Sequence, residues 1–115
     1  VLVSSNKIID SCEHGIQILQ RSKCMVIGNI ITASALSGID VTSSSDPKVE
    51  SNTIERVIGA GICIHDGGKG HYQLNCIKGT LKAGIVVRKA SEAHLTENTL
   101  IDGKATGVYV YDGAK

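Results

Sequence analysis

Eight side chains have the types and spacing to do chemistry together: Asp40, His65, Asp66, Arg88, Lys89, Tyr109, Tyr111 and Asp112. Each falls inside or just after a short Gly-Ile-x-Ile-like stretch, and the set mixes acids, bases and phenols. Such a mixture suits an extended polymer, because charges fix polar groups while tyrosine supplies apolar area with a polar tip. A saccharide or an extended peptide fits that description. Catalysis asks for more, namely two carboxylates close enough to divide acid and base roles. Asp40 and Asp66 lie about one repeat unit apart with Arg88 about one unit further, but no position carries acids in two successive units. Catalysis is therefore not expected here, and solvent-facing polarity alone accounts for each residue taken singly.

Metal and cofactor chemistry is not expected either. His14, His65, His71 and His94 read as four different positions of the repeat and so as no ligand constellation. Cys12, Cys24, Cys63 and Cys76 have no C-x-x-C spacing and also differ in position, which reads as free thiols in a reducing compartment. Gly59-Ala60-Gly61 lacks the third glycine of a dinucleotide fingerprint, and no Ser or Thr follows Lys69 in Gly67-Gly68-Lys69-Gly70 as a P-loop requires.

The elements that must position these residues are written in a repeat. Gly15, Gly38, Gly61, Gly84 and Gly107 stand 23 residues apart, and Asn6, Asn29, Asn52, Asn75 and Asn98 keep the same beat. Four further columns are apolar in every unit: Val3/Val26/Val49/Tyr72/Leu95, Ile8/Ile31/Ile54/Ile77/Leu100, Ile16/Ile39/Ile62/Ile85/Val108 and Ile18/Val41/Ile64/Val87/Val110. Apolar residues alternate inside each Gly-Ile-x-Ile, which is the strand period. A unit this short cannot bury its own apolar face and must stack on its neighbours. A leucine-rich repeat would want a leucine five residues before each Asn, where this chain has Val1, Cys24, Pro47, Gly70 and Ala93. The pattern predicts an all-β fold: a right-handed parallel β-helix of about five 23-residue coils, with three short strands per coil, over residues 1–115.

In that fold the Asn column should form a ladder of amide hydrogen bonds. The Gly column should supply a backbone angle that a Cβ forbids. Lys23, Asp46, Lys69, Glu92 and Lys115 alternate in sign and read as an exposed charge ladder. The chain opens in mid-pattern and is expected to be part of a longer domain.

Composition agrees. There is no Phe and no Trp, only three Tyr, and 13 Gly against one Pro, so β-branched side chains must fill the core. A net charge of +1, with Lys and Arg scattered, argues against nucleic acid or a membrane as partner. None of the five ladder Asn is followed by the Ser or Thr of a glycosylation signal, which with the free thiols suggests an intracellular protein.

The N-x-I…G-I-x-I units resemble the parallel β-helix repeats of CASH-type carbohydrate-binding and sugar-hydrolysis proteins. Ser45-Asp46-Pro47-Lys48-Val49-Glu50-Ser51-Asn52-Thr53-Ile54 and Ala60-Gly61-Ile62-Cys63-Ile64-His65-Asp66-Gly67-Gly68-Lys69-Gly70 resemble more closely the β-helical region of F-box only proteins. That resemblance implies a substrate-recognition module of a ubiquitin ligase, with a protein or degron peptide as partner and a cytoplasmic or nuclear location. The broader resemblance implies a carbohydrate-binding or polysaccharide-processing β-helix.

Overall fold

Three residues are enough for each strand here, because a short extended segment is completed by its copies in the neighbouring coils. The computed structural model describes residues 1–115. The first coil holds β1 (Leu2–Ser4), β2 (Lys7–Ile9) and β3 (Ile16–Ile18); the second holds β4 (Met25–Ile27), β5 (Ile30–Thr32) and β6 (Ile39–Val41). The third holds β7 (Lys48–Glu50), β8 (Thr53–Glu55) and β9 (Ile62–Ile64); the fourth, β10 (His71–Gln73), β11 (Cys76–Lys78) and β12 (Ile85–Val87). The fifth holds β13 (His94–Thr96), β14 (Thr99–Ile101) and β15 (Val108–Val110). Equivalent strands pair in parallel into three five-stranded sheets, β1-β4-β7-β10-β13, β2-β5-β8-β11-β14 and β3-β6-β9-β12-β15. Every register joins residues 23 apart, as in Ile39↔Ile62 and Val49↔Tyr72.

The four apolar columns face the bore and make one continuous core, including Val26, Ile31, Ile39, Val41, Ile54, Ile62, Ile64, Tyr72, Ile77 and Ile85. Tyr72 is the one large ring admitted to this column. It is fully buried, its hydroxyl donates to the Lys69 carbonyl, and burial pushes its pKa well above the usual tyrosine range. The corner residue at Gly70 makes room: a Cβ there would lie 3.0 Å from the Tyr72 hydroxyl and 2.5 Å from the Pro47 carbonyl oxygen.

The Asn ladder forms as expected. Asn29 Nδ2 donates to Asn52 Oδ1 at 3.0 Å and to the Val3 carbonyl at 2.9 Å, and the Asn29 backbone amide donates to the same Asn52 Oδ1 at 2.9 Å. Asn52 and Asn75 repeat all three bonds one coil on. Only an amide side chain carries both the donors and the acceptor that this pattern uses.

Two structural expectations need correction. The glycines at 15, 38, 61, 84 and 107 do not have positive φ. They are needed for space: a Cβ on Gly61 would lie 2.4 Å from Ile77 Cγ2 and 2.7 Å from the Gly84 carbonyl oxygen. The left-handed backbone sits elsewhere, at the residue before each Asn (Ser5, Gly28, Ser51, Leu74, Glu97) and again at Asp10, Ala33, Arg56, Gly79 and Asp102. The second correction concerns the column Lys23, Asp46, Lys69, Glu92, Lys115. It stacks through backbone bonds such as Asp46 N to Ser22 O and Lys69 N to Ser45 O, but none of its side chains forms an ion pair within 4.0 Å.

Candidate functional site

The outer face of the sheet β3-β6-β9-β12-β15 carries the site. The middle residues of these strands, Gln17, Asp40, Cys63, Val86 and Tyr109, point away from the bore and stack in register. Two residues on come Leu19, Thr42, His65, Arg88 and Tyr111, and then Gln20, Ser43, Asp66, Lys89 and Asp112, all at φ between 51° and 60°. This left-handed turn takes the chain out of the strand and leaves the Asp66 carboxylate beside the His65 ring.

Asp40 is the centre of the second and third coils. His65 Nε2 lies 3.0 Å from Asp40 Oδ1, and His65 Nδ1 lies 2.8 Å from Asp66 Oδ2, so one imidazole bridges two carboxylates. His14 approaches from the first coil, with Nε2 3.9 Å from Asp40 Oδ2. The Ser37 backbone amide donates to His14 Nδ1 at 3.2 Å, which places the ring proton of a neutral His14 on Nε2, towards the carboxylate. Cys63 sits directly over Asp40 in the register, and one donor atom each of Asp40, Cys63 and His65 lie within 4.8 Å of one another.

The electrostatics decide what this cluster can do. Burial, and then the charge of Asp40, push the Cys63 thiol up, although Arg88 beside it works the other way. A raised thiol pKa in a residue only 9% exposed is the opposite of an activated nucleophile. The hydrogen bond from His65, and then the charge of Lys89, whose Nζ lies 3.9 Å from Asp66 Oδ1, hold the Asp66 carboxyl below the usual range. That is the wrong direction for a general acid. Both ring nitrogens of His65 already face carboxylates, which leaves none turned to a substrate.

At the other end of the face, Tyr109 and Tyr111 lie with ring centroids 4.5 Å apart at 33°. Tyr109 is half exposed, and the pair borders a shallow groove of about 310 Å³ with Lys82, Ala83, Val86, Ala105 and Thr106. Arg88 is half-buried, while Lys89 and Asp112 are exposed beside it.

The expected face thus divides in two. Tyr109 and Tyr111 border the groove, Arg88 stands one coil before Tyr111 at the same repeat position with Lys89 and Asp112 as exposed neighbours, and His65 and Asp66 belong to the Asp40 cluster. Asp40 does not lie on an open surface: it is 3% exposed, covered by His65 and His14. The histidine reading is also corrected. His71 and His94 share one repeat position, pair in register across β10 and β13, and stack with ring centroids 4.7 Å apart. His14 and His65 do occupy different positions, yet both reach one carboxylate. Sequence reasoning passed over Cys63 and His14. Cys63 could have been found, since it stands 23 residues after Asp40; His14 gives no such signal, because its contact runs diagonally between coils.

The model of the right handed beta helix region family matches residues 1–115. The chain belongs to that family. The match covers every coil, and its right-handed β-helix agrees with the parallel stacking of the three sheets. No curated protein and no solved structure matches the chain. No helix is long and apolar enough to cross a membrane.

Proposed function

We propose that this β-helix is a non-enzymatic protein-binding module, the substrate-recognition region of an F-box-type ubiquitin ligase adaptor, working in the cytoplasm or nucleus. The observation that carries the reading is the groove lined by Tyr109, Tyr111, Val86 and Lys82, with Arg88 one coil before Tyr111 at the same repeat position. An extended degron segment laid along the coils meets apolar area flanked by cations. Its preferred sequence would put an aromatic or aliphatic side chain next to acidic ones. The Asp-Pro entry at Asp46-Pro47 and the run from Gly61 to Gly70, which resemble F-box only proteins, support the ligase setting.

The tyrosine pair, with Tyr109 exposed, also suits a sugar ring, so a carbohydrate-binding β-helix is the second reading. Selection from a random peptide display library on the 115-residue chain, run beside a glycan array, separates the two. The first reading expects an acidic–apolar peptide consensus whose binding falls roughly tenfold or more in Tyr111→Ala and Arg88→Glu. Glycan binding with no enriched peptide would replace it with the second.

A further inference from the structure

We propose that Asp40, Cys63 and His65 form a zinc-binding site that ties the second coil to the third. The donors are a carboxylate, a thiol and an imidazole, a set suited to zinc. They come from β6, β9 and the residue just after β9, and stacking of the coils has already brought their donor atoms within 4.8 Å of one another. A tetrahedral zinc ion with bonds of about 2.0–2.3 Å needs donors roughly 3.3–3.8 Å apart. Side-chain movements on the order of 1 Å therefore close the site, and His65 Nε2 and Asp40 Oδ1, at 3.0 Å, already lie close together.

The surroundings match what a metal-bound histidine needs. His65 Nδ1 lies 2.8 Å from Asp66 Oδ2 and can donate its proton there, which turns the Nε2 lone pair towards the side of Asp40 that a metal would share and fixes the ring plane. Asp66 is a positioning residue in this arrangement. His14 Nε2 faces the other oxygen of Asp40, but its Nδ1 accepts the Ser37 amide, so Nε2 keeps its proton. His14 therefore orients the carboxylate and is not a fourth donor. Binding releases the Cys63 thiol proton to solvent, and thiolate and carboxylate together balance the dication. Three protein donors leave a fourth position for water or for a group of the bound partner.

The test is a cobalt(II) titration of the 115-residue chain under reducing conditions, followed by displacement with zinc(II). The proposal expects one saturable equivalent with a thiolate-to-cobalt charge-transfer band and tetrahedral d–d bands, both abolished by zinc. Cys63→Val should remove the signal while the fold persists, checked by circular dichroism, because Val86 already occupies the equivalent position one coil on. Asp66→Asn should keep the band shape but weaken affinity roughly 10–100-fold. Cys24→Ala, Cys76→Ala and His94→Ala should leave the titration unchanged. Absence of a saturable thiolate band, or its survival in folded Cys63→Val, overturns the proposal.

Discussion

At the scale of single residues, the columns that look alike in sequence differ in what each member supports. Gly61→Ala sets a methyl group against Ile77 and the Gly84 carbonyl and should destabilise by about 1–3 kcal/mol through overpacking. Gly107→Ala meets only Leu100 at 3.6 Å and should be close to neutral. Urea unfolding of the two variants checks the contrast. Asn52→Ala removes two bonds that Asn52 donates and strips the acceptor from two donors of Asn29, a loss of roughly 2–4 kcal/mol. Asn6 is exposed and its side chain only donates, so Asn6→Ala should cost clearly less in the same assay. Asp40→Ala leaves the partly buried His65 and His14 without their carboxylate and should cost about 1–3 kcal/mol, whereas Asp66→Ala and Arg88→Ala should leave the fold intact. The ladder was legible because an identical residue every 23 positions must meet its own copy. The burial of Asp40 was not, because the side chains that cover it arrive from 26 residues before and 25 residues after.

At the scale of the elements, the corners matter more than the strands. Each strand is three residues long and alternates, as the Gly-Ile-x-Ile pattern requires. The corners adopt positive φ at residues with no local preference for it, such as Ala33, Leu74 and Lys89. Backbone bonds that run from coil to coil hold them there, among them Leu74 N to Thr96 O and Ala33 N to Glu55 O. Leu74 is 47% exposed, so its conformation is not repaid by burial. Leu74→Gly relieves a left-handed Leu and should change stability by less than about 1 kcal/mol, in the stabilising direction, while Gly28→Ala at the equivalent corner should cost about 1 kcal/mol. Thermal melts of both variants test this. No motif announces these corners, since the strain is local and the force that sustains it is not.

At the scale of the whole molecule, the β-helix is a stack in which each coil touches only its neighbours. Removing residues 71–93 joins Gly70 to His94 and deletes one full period. The shortened chain should remain folded and unfold cooperatively, at a lower midpoint, by circular dichroism. A deletion one residue shorter moves every apolar column of the last coil off the bore, so that coil should come loose and the midpoint should fall further. The full-period deletion also spares Asp40, Cys63 and His65, so cobalt binding should survive it, although the peptide groove loses Lys82, Ala83 and Val86. The two proposals are thereby separable in one protein.

By itself the sequence determined the period, the strand positions, the four core columns and the Asn ladder, because a strict repeat under parallel stacking places every residue against its equivalents. Only the tertiary structure decided which outward residues meet across different columns. His14, Asp40 and His65 hold three different repeat positions, and the turn out of the strand brings them together. It also decided that the column glycines are required by the closeness of the next coil and not by their own backbone angle. Both are matters of distance between coils, which a one-dimensional period does not contain.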